Sequence, residues 1–322
     1  MIRLLAFISL ATVALVSACD RDKDPRQDAG PFAIDPANAF VSMPSEGCEG
    51  ARVQPGISEQ TIEADGLQRS YRLFIPSTYD QSLPEPLVLN FHGFGSNAAS
   101  QEAYSGLGDL AEREGFLLVS PDGAGSPPQW HTFGRLLPGY VNDLSFVDYL
   151  LDHITATLCV DESRIYAAGL SNGGGMAQTL GCRMKDRIAA VGVVAAAPFI
   201  ETGCDDPGLM PVIAFHGTAD EVVAFNGEGS RFGLTFQPVR TTMQKWAVRN
   251  GCDASPVSER VADDVVREYY TGCDDGSAVE LYVIEGGGHT WPGALDRPGL
   301  GRITRSISAS ELMWRFFEQH TR

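Results

Sequence analysis

Basic residues are scarce in this chain: 24 Lys and Arg stand against 41 Asp and Glu in 322 residues, a formal net charge of −17. Phosphate backbones are gripped by clustered cations, and the sequence has no such cluster, which argues against nucleic acid as a partner. The marks of metal chemistry are missing as well. There is no CxxC, no HExxH and no close spacing of His with Cys, so neither a metal nor any other cofactor is expected. No internal repeat is present, and the apolar run at the N-terminus is too short to span a bilayer as a helix.

That run is informative in another way. Residues 1–19, MIRLLAFISLATVALVSAC, place Arg3 ahead of an apolar stretch that ends in small residues and Cys19. This order fits a secretory signal rather than a membrane span. Val16-Ser17-Ala18-Cys19 resembles the lipobox of bacterial lipoproteins, which implies a lipid on Cys19 and a chain anchored in the cell envelope; the alternative is a plain secretory peptide cut near Ala18. Residues 20–46, rich in Asp, Pro and Ala, read as a flexible tether. Residues 47–322 then form a single domain. Setting Cys19 aside leaves Cys48, Cys159, Cys182, Cys204, Cys252 and Cys273, an even number suited to an oxidising compartment. Cys252 and Cys273 bracket an expected hairpin and are the pair best placed to bond.

From Tyr71 onward, strand-like runs (YRLFIP, PLVLNFHG, FLLVSPDG, RIYAAGL, AAVGVVAA, PVIAFHG, VELYVIEGG) alternate with helical patterns. The helices are expected near Gln101 to Glu114, Asn142 to Leu158, after Ser171, and Val239 to Asn250. A closing helix is marked by Ser308 and Glu311, which match a capping box. This rhythm predicts an α/β fold with a mostly parallel central sheet flanked by helices.

Gly169-Leu170-Ser171-Asn172-Gly173 fits G-x-S-x-G between a strand and a helix, the nucleophile elbow of an α/β-hydrolase. The glycines give the sharp turn room, and the helix starting there favours a developing oxyanion. Ser171 is therefore the expected nucleophile and the Asn172 N–H the first oxyanion donor. The fold orders its triad Ser, acid, His, leaving His216, His289 and His320 as bases. His289 lies in a glycine-rich loop after a strand and is the expected base. His216 is too close to the expected acid and is read as structural; His320 is read as solvated. Asp220 follows the strand PVIAFHG and is the expected acid, with Asp205 and Asp206 as rivals placed before that strand. The Phe94 N–H, just after the His92-Gly93 pair, is the expected second oxyanion donor. Ser171 would attack an acyl carbon, His289 would move the proton, and Asp220 would orient the imidazole. Activity should rise as His289 loses its proton, at about pH 6 to 8 for an ordinary histidine.

Trp130 and Trp291 are candidates for an aromatic substrate platform, core packing being the alternative for Trp130. Asn142 and Asp143 open a helix and are read as capping residues, with the alcohol side of a cleft as the other possibility.

Five blocks carry a resemblance: HGFGS at His92 to Ser96, SPDG at Ser120 to Gly123, CVDESRIYAAGLSNGGGMA at Cys159 to Ala177, HGTADEVV at His216 to Val223, and GGGHTWPG at Gly286 to Gly293. They resemble the bacterial polyhydroxybutyrate depolymerase and feruloyl esterase family, a carbohydrate-esterase-like group, from about Gly47 to the C-terminus. The resemblance implies an α/β-hydrolase with Ser171, Asp220 and His289 in the triad positions. It also implies structural disulfides, Cys48 with Cys159 and Cys182 with Cys204. An extra glycine in SNGGGM departs from the usual SNGGM or SAGGM. The expected function is a secreted, monomeric serine ester hydrolase acting on feruloyl or acetyl sugar esters or hydroxyalkanoate oligomers. Alternatives are an acyltransferase with the same triad or another polyester hydrolase. A silent binding protein of this fold would be expected to lose a triad member, and all three are present.

Overall fold

In the computed structural model the described residues are 41–50, 53–131, 141–197, 204, 208–228, 230 and 236–322. The segment 1–19 with Cys19, the tether up to residue 40, and the rival acids Asp205 and Asp206 lie outside them. Strands β1 (Gly56–Ala64), β2 (Leu67–Ile75), β3 (Glu85–Phe91), β4 (Leu117–Pro121), β5 (Val160–Leu170), β6 (Ala190–Val194), β7 (Val212–Gly217), β8 (Val257–Ala262), β9 (Val265–Tyr269) and β10 (Val279–Ile284) form one sheet. Their order is β1-β2-β4-β3-β5-β6-β7-β10-β9-β8. The run from β4 through β10 is parallel, while β1, β2, β8 and β9 pair antiparallel at the two edges.

The central strands are continuous apolar runs because both of their faces are covered. On β5, Ile165 and Ala167 join a core with α3 (Asp143–Thr157), α4 (Asn172–Arg183) and α5 (Val239–Arg249). Tyr166, Ala168 and Leu170 point to the other face, toward α1 (Ala98–Ser105), α2 (Leu107–Glu114) and α6 (Ala309–Phe317). The period of two thus divides one strand between two cores, and each fully buried Leu or Phe contributes roughly 1.5–3 kcal/mol.

Three local expectations change. The first expected strand, YRLFIP, falls within β2, and an edge strand not expected from the sequence, β1, precedes it as the other arm of a hairpin whose two-residue turn is Asp65-Gly66, both at positive φ. That dipeptide is a hairpin signal in the sequence. The helix expected over Gln101 to Glu114 is two helices, broken where Gly106 turns to φ 67°. His320, expected in solvent, is 8% exposed with its ring 4.5 Å from that of Phe316; α6 delivers it to the amino end of β5, where the Tyr166 hydroxyl donates to its carbonyl.

Capping chemistry fixes two helix starts: Ser308 accepts from the Glu311 N–H and Asn142 from the Ser145 N–H. The disulfides are Cys48–Cys159, Cys182–Cys204 and Cys252–Cys273. The last closes the segment carrying β8 and β9, as the cysteine spacing suggested. Among the described residues, no helix is long and apolar enough to cross a membrane.

Candidate active site

Strand β5 runs directly into α4 through Ser171, which adopts φ 57° and ψ −122°. A non-glycine residue seldom adopts this conformation, and its cost is met by the surroundings. The Ser171 N–H donates to Val194 O at the end of β6, while its carbonyl accepts from the Gly175 N–H. A Cβ on Gly169 would lie 2.3 Å from Gly173 O, and one on Gly173 would lie 2.2 Å from Phe91 O. Both glycines are therefore required by backbone contact. The third glycine, Gly175, supplies the first ladder donor of α4, so the longer glycine run leaves the first helical turn intact. Asn172 opens that helix, ahead of the first ladder donor, with its amide outside the i to i−4 ladder.

The loop after β3 lies against the same serine: a Cβ on Gly93 would sit 3.5 Å from Ser171 Cβ. Phe94, the next residue, is largely exposed. Its loop is held by His92, which is fully buried. His92 Nε2 accepts from the Gly123 N–H at 2.8 Å, so its proton lies on Nδ1, which donates to Gly93 O at 2.7 Å. Burial pushes the His92 pKa down, in keeping with a neutral ring. The Gly95 N–H donates to Pro128 O and the Ser96 N–H to Gly93 O.

Trp130 completes this frame. Its indole N–H donates to His92 O, its backbone N–H donates to Asn172 Oδ1, and its carbonyl accepts from Asn172 Nδ2. The indole is 1% exposed, so the platform expected of it gives way to core packing. Trp291 is likewise 1% exposed, its indole N–H donating to Ser310 Oγ and its backbone N–H to the Tyr104 hydroxyl. Both tryptophans brace loops around the serine. A flat apolar side chain next to a catalytic block fits core and platform equally well in sequence; burial decides for the core. Asp143 does more than start α3. It is buried, accepts from Arg69 at 2.8 Å and takes the His131 N–H at 2.7 Å, which anchors the segment after Trp130. Arg69 in turn lies over the Phe146 ring.

Asp220 follows β7 and His289 follows β10, adjacent parallel strands whose carboxyl ends bring the two loops together. His289 Nδ1 lies 2.8 Å from Asp220 Oδ2. With a carboxylate as acceptor, the proton sits on Nδ1, leaving Nε2 as the basic nitrogen. The His289 N–H donates to Leu300 O, and a Cβ on Gly288 would collide with that same carbonyl, so the glycine lets the histidine loop pack on the segment beyond it. Asp220 Oδ1 accepts from the Val222 and Val223 N–H groups, both at 2.8 Å. His216 Nε2 lies 3.3 Å from Asp220 Oδ2 and 2.8 Å from Val223 O. Read as structural from sequence, His216 proves to touch the carboxylate of Asp220, the expected acid. Burial alone would raise the Asp220 pKa, but hydrogen bonds and charge from His216 and His289 outweigh it and hold the carboxyl well below the usual range. Among the described residues, no group of three or more His, Cys, Asp and Glu is arranged to hold a metal.

Residues 69–222 match the model of a family described as esterase PHB depolymerase. The chain is 33% identical over 224 residues to feruloyl esterase B of Piromyces equi, an alignment covering 66% of this chain and 41% of that protein. It is 30% identical over 271 residues to NocK, an inferred esterase of Nocardia uniformis subsp. tsuyamanensis, covering 76% of this chain and 78% of the relative. Among solved structures, acetyl xylan esterase from Aspergillus awamori superposes with a TM-score of 0.58 at 16% identity, over 80% of this chain and 98% of that one. That last likeness is one of fold.

Proposed function

Since the chain belongs to the esterase PHB depolymerase family, and is a carboxylic ester hydrolase, we propose that Ser171, His289 and Asp220 are its catalytic triad. The observation that carries this reading is the 2.8 Å contact between His289 Nδ1 and Asp220 Oδ2, delivered by two loops at the same sheet edge as the strained serine elbow. Ser171 Oγ attacks the ester carbon as His289 Nε2 takes its proton. The tetrahedral oxyanion is stabilised by the Phe94 and Asn172 N–H groups. His289 returns the proton to the leaving alcohol, and a water then releases the acid by the same route. Asp220, kept anionic, stabilises the imidazolium formed in each step.

The substrates proposed are feruloyl or acetyl esters of sugars, or short hydroxyalkanoate oligomers. The name of the relative from Piromyces equi, feruloyl esterase, supports the sugar esters, and the family description supports the oligomers. Chain organisation enters the same proposal: a secretory segment at residues 1–19, a lipid on Cys19, a tether over 20–46 and one catalytic domain over 47–322. Three disulfides support passage through an oxidising compartment.

The test is hydrolysis of p-nitrophenyl acetate and butyrate by the purified protein and by Ser171→Ala, followed by methyl ferulate, acetylated xylo-oligosaccharide and hydroxybutyrate oligomers. Loss of all ester hydrolysis in the variant, together with fluorophosphonate labelling of wild type at Ser171, is expected. Equal rates in the two proteins would remove Ser171 from the mechanism.

A further inference from the structure

The triad uses one of the two histidines that touch Asp220. The other, His216, is the second-to-last residue of β7, is 2% exposed, and sets its ring edge-on to Phe225 at 5.8 Å between centroids. Its Nε2 faces two atoms that only accept, Val223 O at 2.8 Å and Asp220 Oδ2 at 3.3 Å. Neither can supply a proton, so Nε2 carries one and shares it between them. The four-residue turn, Asp220 to Val223, is therefore held at both of its ends by one ring nitrogen on β7, the strand that leads into it.

We propose that His216 is a positioning residue for the reaction: its Nε2–H fastens the turn bearing Asp220 to β7 and shares the carboxylate oxygen on which His289 rests. This rests on the reading of Asp220 as the triad acid. The Val222 and Val223 N–H groups fix Oδ1, but both belong to the turn itself and move with it. His216 anchors that turn to the sheet from which Ser171 also emerges. Among the described residues, Asp220, which also meets His289, faces its polar side, and beyond Phe225 the Arg240 guanidinium lies over that ring and is paired with Glu268. The depressed Asp220 pKa is in keeping with two imidazole donors on one carboxylate.

The decisive comparison is His216→Phe, which keeps a ring and loses the donor, against His216→Gln, whose amide can restore an N–H near the Nε2 position. With p-nitrophenyl acetate, kcat should fall about 10- to 100-fold in the Phe variant with KM within about twofold, and the Gln variant should recover most of it. The low-field proton resonance of the His289 Nδ1–H should weaken in the Phe variant and return in the Gln variant. In an Asp220→Asn background, His216→Phe should cost little more, because its effect runs through Asp220. Equal losses in Phe and Gln, or full additivity with Asp220→Asn, would overturn the proposal. A measurement on wild type stands apart from folding of any variant: ¹⁵N spectra of the histidines should show the His216 Nε2 protonated at pH 7, and an Nδ1–H tautomer would equally overturn it. If Asp220→Asn itself keeps full activity, the triad reading has failed; if only His216→Phe does, this inference alone has.

Discussion

The two ends of β5 make different uses of the same interior. At the carboxyl end, polar groups are interlocked: His92, Trp130, Asn172, Asp220, His216 and His289 each meet defined partners around Ser171. At the amino end, Cys159 bonds Cys48, and the tail of α6 lays His320 against Phe316, with Phe317 stacked on Tyr166. His289 and His320 are similarly buried, at 5% and 8% exposure, yet one ring nitrogen meets a carboxylate and the other ring meets aromatic carbon. Burial by itself does not make a histidine functional. What it faces decides whether the enclosed group serves chemistry or is simply a cost to stability.

This contrast predicts that changes at the carboxyl end alter rate, and changes at the amino end alter stability. The largest expected effect is on rate. Ser171→Ala should lower kcat on p-nitrophenyl esters by several powers of ten, and Asp220→Asn by roughly 10⁴-fold, with little change in melting temperature. A large fall in melting temperature in either variant would blur the division between the ends.

Next comes the amino end. Replacing Cys48 and Cys159 together by Ser frees a sequence separation of 111 residues and should destabilise the protein by about 4–5 kcal/mol in the chain-entropy picture. Removing Cys252–Cys273, which spans 21 residues, should cost less, roughly 3 kcal/mol. Denaturant titration measures both, and the reverse ranking would count against the loop-length argument.

His320 gives a pH signature. Burial pushes its pKa down to about 4, below an unfolded value of about 6.5. Between these values the unfolded chain binds the extra proton, so stability is full above about pH 6.5 and is lost as pH falls toward 4. About 3 kcal/mol is at stake. His320→Leu should flatten this part of the stability curve while leaving the pH profile of kcat/KM in place. A shift in that profile would mean the two ends are coupled. The smallest effect expected is at the α6 start, where Ser308→Ala should remove one capping bond and cost about 1 kcal/mol in thermal denaturation, without touching kcat.

The elements that could be read in advance are those whose signal is local. G-x-S-x-G between a strand run and a helix run marks the elbow because backbone crowding at Gly169 and Gly173 leaves no other residue type. The Ser308 cap and the hairpin between Cys252 and Cys273 are equally local. The β1–β2 hairpin was announced by Asp65-Gly66 as well, but its outer strand has weak alternation, with much of it exposed. Trp130, Trp291 and His320 were harder, because an aromatic or imidazole ring has the same letter whether it faces solvent, substrate or core.

The sequence by itself therefore determined the α/β order of elements, the serine elbow and the chain order Ser171, Asp220, His289, since each depends on a few neighbouring residues and on fold-wide connectivity. Only the tertiary structure decided that His289 meets Asp220, that His216 shares the same carboxylate, that both tryptophans brace the frame, and that His320 is enclosed. These facts arise where the carboxyl ends of β3, β5, β7 and β10 converge and, at the opposite end of β5, where the tail of α6 folds onto it. Such convergence depends on sheet register and core packing between segments far apart in the chain, which no local pattern encodes.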